Sequence, residues 1–143
     1  MTDPIYCLVC GPSRRWFPFL QGLYFMEKIF TIKNNATFTK MYRSKSSAQS
    51  TVVVYYKRNY HLTGASIGIT ASKKLGGAVE RNRARRLIRE AYRTLVLEGT
   101  GINSEPYYFV FVARSKCFSK KIRMQDVYAD MKRAFCEIGL IGE

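Results

Sequence analysis

Hydrophobic and polar positions recur with helical or strand-like periods along most of this chain. The first periodic segment, Thr31–Tyr42, predicts a short helix, because Phe38, Met41 and Tyr42 fall at i, i+3 and i+4 on one face. Asn34 and Asn35 can cap its start, since their side-chain oxygens can accept hydrogen bonds from free first-turn N–H groups. The chain therefore enters its periodic part through a capped amphipathic helix.

Three segments then have the composition of strands. The polar residues 44–50 predict a loop, and Thr51–Tyr56 (TVVVYY) follows as a β-branched and aromatic strand. Ala65–Ala71 (ASIGITA) alternates apolar with small or polar residues, which predicts a second strand. Tyr107–Ala113 (YYFVFVA) is apolar and aromatic throughout, which is typical of a buried strand.

Two longer helices complete the pattern. The first, Val79–Leu97, follows the break at Gly76-Gly77, and the second, Met124–Ile138, ends at Gly139. Their apolar stripes are Ala84, Leu87, Ile88, Ala91, Tyr92 and Leu95 in the first and Val127, Met131, Ala134, Phe135 and Ile138 in the second. The resulting α-β-β-α-β-α order predicts an α+β fold, a small two-layer domain in which helices are packed on a mixed β-sheet.

The first 25 residues differ from the rest in having breakers and no steady period. We interpret residues 1–25 as an irregular N-terminal extension and residues 26–143 as one domain. Two alternatives stay open for this extension: it belongs to the protein, or Met26 is the true start and the gene start is overlong.

Composition narrows the class of partner. The chain has 24 Lys and Arg against 10 Asp and Glu, a net charge of +14 in 143 residues, which requires a polyanion. No apolar run approaches the roughly 18 residues that a membrane helix needs, so nucleic acid is favoured over a membrane. The cysteines Cys7, Cys10, Cys117 and Cys136 lack the second close pair of a structural zinc site, which predicts reduced thiols, no protein-bound metal and a cytoplasmic protein.

The positive charge is concentrated between Lys73 and Arg93. The residues predicted to bind RNA are Lys73, Lys74, Arg81, Asn82, Arg83, Arg85, Arg86, Arg89 and Arg93. Those at 83, 86, 89 and 93 are expected to form a positive outer face on the helix, and the glycine turn before it to leave N–H groups free for an anion. A row of guanidiniums after a strand suits the backbone of a folded RNA better than DNA, since a helix-turn-helix needs two short helices.

The segment Ser72–Arg93 (SKKLGGAVERNRARRLIREAYR) closely resembles the signature of the protein subunit of bacterial ribonuclease P, with Arg81-Asn82-Arg83 as its core. The resemblance extends over most of residues 28–140. It implies a fold like the second domain of ribosomal protein S5, with a left-handed β-α-β crossover. It also implies that the protein assembles with a catalytic RNA. The holoenzyme would remove the 5′ leader of precursor tRNA by endonucleolytic cleavage, with Mg²⁺ held mainly by the RNA and none by the protein.

The same resemblance assigns roles to residues outside the basic helix. It implies a leader-binding cleft between the first helix and the sheet, formed by Phe38, Tyr42, Tyr55 and Arg114. Aromatic side chains can stack on bases of any sequence. The alternatives are that Phe38, at helical spacing, is a core residue and that Arg114 is a simple surface charge. Gly77 and Glu80 depart from the usual pattern: Glu80 either caps the helix or weakens contact with RNA there.

Two other functions compete with this interpretation. A protein-only nuclease would need clustered carboxylates or histidines, but the acidic residues are scattered and His61 is the only histidine, in a predicted turn. No catalytic residue is therefore assigned to the protein. A ribosomal or assembly protein that only scaffolds RNA fits the composition nearly as well. Such a protein, however, would have no need for the aromatic pair Phe38 and Tyr42.

Overall fold

The computed structural model describes residues 29–142, so the extension predicted for residues 1–25, the alternative start and the Cys7–Cys10 pair lie outside the described residues. Along the chain the elements are β1 (Phe30–Thr31), α1 (Asn35–Met41), β2 (Lys45–Ala48), β3 (Val52–Arg58), β4 (Ser66–Thr70), α2 (Ala78–Leu97), β5 (Tyr107–Ala113) and α3 (Met124–Ile138). Short 3₁₀ turns at Ile102–Ser104 and Ser115–Phe118 flank β5.

The five strands form one mixed sheet in the order β1-β4-β5-β3-β2. The pairs β1–β4 and β4–β5 are parallel, and the pairs β5–β3 and β3–β2 are antiparallel. Helix α2 joins the parallel neighbours β4 and β5, so the expected β-α-β crossover is present, and its left hand stays a prediction. The α+β class, with a mixed sheet packed by helices, is confirmed.

The two faces of the sheet are covered unequally. Helices α2 and α3 pack on one face over a large core whose biggest side chains are Tyr92, Phe109, Phe111 and Phe135, all fully buried. On the opposite face, the two-turn helix α1 covers a small cluster built on Ile32, Met41 and Val110. Among residues 29–142, the short helix α1 covers only part of this second face, where Tyr55 and Tyr108 remain partly exposed.

Two local predictions were wrong. Residues 45–48 form strand β2 and not a loop: Ser46 pairs with Tyr55 and Ser47 with Val54, so β3 supplies the hydrogen-bonding partner that the polar sequence does not indicate. The first helix starts four residues later than predicted, because Ile32 N–H binds Ile67 O at 2.8 Å and extends the pairing of β1 with β4.

The start of α1 is capped by a side chain, as predicted. Asn34 Oδ1 accepts from Ala36 N–H at 2.9 Å, which satisfies one of the free donors of the first turn. Asn35, the other candidate, is the first residue of the helix itself.

A buried carboxylate ties α3 to the turn that precedes β3. Asp130 Oδ2 accepts from Thr51 N–H at 2.9 Å, from the Thr51 hydroxyl at 2.7 Å and from the Ser50 hydroxyl at 3.1 Å. Burial opposes ionisation of this group, but these hydrogen bonds outweigh it and hold the Asp130 pKa below its ordinary value of 3.8. The ionised carboxylate is thus the form that stabilises the fold.

Asp130→Ala is expected to lower the free energy of unfolding by about 1–3 kcal/mol, because Thr51 loses the partner of a buried N–H and a buried hydroxyl. Since the folded-state pKa is the lower one, the contribution of Asp130 is complete above the unfolded-state pKa and disappears as the pH falls through the folded value. Urea titrations between neutral and acidic pH measure both effects. If the variant unfolds at the same urea concentration as the unmodified protein at neutral pH, the tie has no energetic importance.

Candidate nucleic-acid interface

The parallel pairing of β4 and β5 brings positive side chains to one end of the sheet. Both strands end at this edge; Lys73 and Lys74 follow β4, and Arg114 follows β5. All three side chains are exposed, and α2 begins four residues after Lys74. The sequence segments that carry the predicted RNA-binding residues and Arg114 therefore meet at this edge.

The start of α2 is closed by its own glutamate. Glu80 Oε2 accepts from Gly77 N–H at 2.8 Å, so the interpretation of Glu80 as a cap is confirmed. Of the N–H groups expected to be free near the helix start, that of Gly77 is therefore occupied. Gly76 makes this contact possible, since a Cβ there would lie 2.5 Å from Glu80 Oε2 and 2.9 Å from the Phe118 ring. The charge of Lys73 and Lys74 remains available beside this cap.

Arg83 does not project from the outer face of α2, and this prediction was wrong. Its guanidinium donates to Ser119 O at 2.9 Å, Lys120 O at 3.4 Å and Ile122 O at 2.6 Å, and the side chain is half-buried. These bonds fix the loop between β5 and α3 against α2. Helical spacing predicts only that Arg83 lies off the apolar stripe, because periodicity carries no information about a loop up to 39 positions away.

Four polar residues of α2 form a continuous exposed row. Asn82, Arg86, Arg89 and Arg93 recur every three or four positions opposite the buried stripe, and we call them the α2 outer face. Arg93 pairs with Glu90 at 3.2 Å, an exposed contact of little energetic value. The positive outer face is therefore present without Arg83.

Two further arginines of α2 lie half-buried on the flanks of this row. Arg81 Nε donates to Gly77 O, and Arg85 donates to Asn82 Oδ1, both at 3.4 Å. Each guanidinium has five N–H donors, so one such bond leaves most of its hydrogen-bonding capacity for an RNA phosphate.

A second group of cations next to α2 was missed in the sequence. The loop that Arg83 holds carries the exposed side chains Lys116, Lys120, Lys121 and Arg123. A signal was present, since five of the ten residues from Arg114 to Arg123 are basic. These residues enlarge the positive surface beside the start of α2.

The predicted aromatic residues lie together on the open side of the sheet. Tyr42, 44% exposed, packs edge-to-face on Tyr55 with ring centroids 5.5 Å apart, and its hydroxyl is 3.2 Å from Thr70 Oγ1. Phe38 is half-buried against the small core, and its ring fills the space over Gly68, where a Cβ would lie 2.5 Å from it. We call Phe38, Tyr42 and Tyr55 the aromatic face, in which Tyr42 is the most exposed ring.

Arg114 is exposed at the end of β5, where Arg114 N–H continues the pairing by binding Thr51 O at 2.9 Å. Its guanidinium donates to Gln49 O at 2.8 Å, which directs the side chain toward the turn between β2 and β3. One carbonyl uses only part of the five-donor guanidinium, so Arg114 retains the capacity to bind a phosphate.

Within residues 29–142, no three His, Cys, Asp or Glu side chains cluster to hold a metal ion. The buried Asp130 is saturated by Thr51 and Ser50, so it does not provide a ligand either. Burial raises the pKa of the Cys117 thiol to about 11, against a smaller opposing effect of Arg83, so this thiol is neutral at physiological pH. The carboxylate of Asp130 and the thiol of Cys117 therefore do not fit a resident Mg²⁺.

No helix in the described range is long and apolar enough to span a membrane.

Comparison with known proteins decides the family. The sequence model of the ribonuclease P family matches residues 26–139. The chain belongs to the ribonuclease P protein family. The ribonuclease P protein component of Clostridium acetobutylicum is 38% identical over 112 residues, which cover 77% of this chain and 89% of that protein. That of Clostridium novyi is 41% identical over 97 residues, covering 66% and 82%.

Solved structures of the ribonuclease P family have the same fold. The Staphylococcus aureus RNase P protein superposes with a TM-score of 0.66 at 27% identity, covering 80% of this chain and 100% of that one. The Thermotoga maritima protein gives a TM-score of 0.62 over 72% and 92% of the two chains, and at 21% identity it supports the fold alone. The chain is thus a bacterial-type ribonuclease P protein component, whose partner is the RNase P RNA and whose endoribonuclease activity in tRNA processing belongs to the holoenzyme. The scaffold-only alternative is not favoured.

Proposed function

We propose that the α2 outer face docks this protein on the catalytic RNA, while the aromatic face binds the 5′ leader of precursor tRNA. The observation that supports this division is the position of the two surfaces. The α2 outer face points away from the sheet on the side that α2 and α3 cover, whereas Tyr42 and Tyr55 lie on the opposite side. One RNA can therefore be held without obstructing the other.

The aromatic face suits a single strand of RNA. Tyr42 and Tyr55 present ring surface on which bases of any sequence can stack, as a leader of variable sequence requires. Lys73, Lys74 and Arg114 lie at the end of the same sheet and supply charge for the phosphates. The protein in this proposal positions the leader and neutralises its backbone.

The hydrolytic step is assigned to the RNA. The described residues offer no metal ligand set, and the lone histidine, His61, is exposed in a turn, with its backbone N–H bound to Asn59 Oδ1. We place the Mg²⁺ of the holoenzyme mainly on RNA and the reaction in the cytoplasm. The role of the protein is binding and orientation.

Reconstitution with a bacterial catalytic RNA tests the proposal. At low Mg²⁺, where RNA alone is poorly neutralised, adding the protein is expected to accelerate cleavage of precursor tRNA and to tighten binding of precursor more than of mature tRNA. The measurement is single-turnover cleavage with and without protein, together with the two dissociation constants. No gain in cleavage, or an equal gain in affinity for both tRNAs, would contradict the leader-binding role.

A further inference from the structure

A second basic surface lies at the end of the sheet opposite to Lys73 and Arg114. Five cations from α1, β2, β3 and the turn after α1 surround it, and we call it the distal groove: Lys40, Arg43, Lys45, Lys57 and Arg58. It comprises a cavity of about 640 Å³ and a second one of about 320 Å³ between α1 and the sheet, and both are lined by Lys40, Lys57 and Arg58. Neither the sequence signature nor the proposed roles of α2 and the aromatic face include it.

The charges of the distal groove are not neutralised by the described part of the protein. Among residues 29–142, no acidic side chain lines either cavity. In the same range the ion pairs are Arg93–Glu90 and Arg133–Asp130, and neither lies here. Neighbouring cations without a counterion repel one another, and a polyanion would remove this cost.

Aromatic rings accompany these cations. The Arg58 guanidinium lies 5.0 Å from the centre of the Tyr60 ring and 5.7 Å from that of Tyr107. Tyr60 is 79% exposed, so most of its ring is open to a ligand. Exposed rings interleaved with cations are the combination that binds single-stranded nucleic acid, by stacking on bases and by charge on phosphates.

The distal groove is continuous with the aromatic face. Tyr55 and Lys57 are two positions apart on β3 and point to the same side of the sheet, which separates them by about 7 Å along the strand. Lys40 stands across the smaller cavity on α1, two residues before Tyr42. A strand of RNA that leaves Tyr55 along β3 therefore reaches Lys57 and Lys40 next. Arg58, the following residue, is oriented toward the other side of the sheet, with Tyr107, and it lines both cavities from the end of β3.

We infer that the distal groove binds the nucleotides of the single-stranded leader that extend beyond the aromatic face. This inference rests on the proposed leader-binding function and adds a second part to that site. Lys57 and Arg58 neutralise leader phosphates, and Tyr60 provides a ring for one further base. Affinity for precursor tRNA should consequently increase with leader length until the strand spans the groove.

The test uses the reconstituted holoenzyme and one tRNA carrying no leader, a leader of about three nucleotides, or one of about twelve. Lys57→Gln with Arg58→Gln is expected to weaken binding of the long-leader precursor roughly 10-fold, to reduce its salt dependence, and to leave the other two substrates within about twofold. Tyr60→Ala, at a highly exposed position, should weaken the long-leader complex without changing its salt slope. Lys132→Gln, on the exposed side of α3, is the control for loss of charge, and Arg133 is kept there because it pairs with Asp130.

Each result has a separate meaning. Equal losses for all three substrates would overturn the inference, because the groove would then bind the tRNA body. Weaker assembly with the catalytic RNA would overturn it in favour of that RNA, and full affinity for every substrate would show that the groove binds no RNA. If the unmodified holoenzyme does not distinguish precursor from mature tRNA, the leader-binding function itself is wrong, and the inference about the distal groove is wrong with it.

Discussion

Arg86→Ala with Arg89→Ala is expected to weaken assembly with the catalytic RNA by about 100-fold or more. Both side chains are exposed at the centre of the α2 outer face, and hydrogen bonds to charged groups contribute roughly 1.5–3 kcal/mol each. The loss should be largest at low salt, because fewer counterions are released when two phosphate contacts disappear. Filter binding or fluorescence titration across a salt series measures both the affinity and the slope.

The design of this variant depends on leaving Arg83 intact. Arg83 holds the loop at Ser119 and Ile122, so its removal would mix a structural effect with any effect on docking. Lys132→Ala removes one charge from the exposed side of α3 and should retain most of the affinity, and Arg133 beside it is kept because it pairs with Asp130. An unchanged salt slope in the Arg86 and Arg89 variant would show that the α2 outer face is not the docking surface.

Tyr42→Ala is expected to weaken binding of precursor tRNA by about 5- to 150-fold while leaving mature tRNA nearly unaffected. This range follows from roughly 1–3 kcal/mol for each base stacked on an aromatic ring, and Tyr42 is the most exposed ring of the aromatic face. Tyr42→Phe keeps the ring and loses only the hydroxyl contact with Thr70, so it should behave nearly as the unmodified protein.

Tyr128→Ala provides the control for this substitution. Tyr128 lies on α3, where its hydroxyl donates to Glu98 at 2.6 Å, on the other side of the sheet from the aromatic face. Its removal should leave the preference for precursor over mature tRNA intact. If Tyr42→Ala weakens both tRNAs equally, Tyr42 serves the packing of α1 and not the leader.

Elements with a strong apolar period were predicted closely from the sequence. The last helix begins and ends where expected, at Met124 and Ile138, and Gly139 ends it with a φ of +84°. Strand β5 also has its predicted bounds, because a run of aromatic and β-branched residues has few alternatives to a buried strand. These elements form the core on which both proposed surfaces depend.

The misjudged features depend on partners distant in the chain. Strand β2 is polar and exists because β3 pairs with it, and Arg83 is withdrawn from the outer face by carbonyls of a later loop. The distal groove collects side chains from two separate stretches of the chain, Lys40–Lys45 and Lys57–Arg58, which the pairing of β2 with β3 brings together. Periodicity reports which side of an element is apolar, but the groups facing its polar side are set by tertiary structure.

Cross-link mapping tests the separation of docking from leader binding most directly. A photoreactive amino acid is placed at the position of Tyr42 or of Arg89 in the holoenzyme bound to precursor tRNA, and the cross-linked nucleotides are identified. We predict that position 42 reaches the 5′ leader and position 89 the catalytic RNA. Cross-links from position 42 confined to the catalytic RNA, or from position 89 to the leader, would contradict this separation.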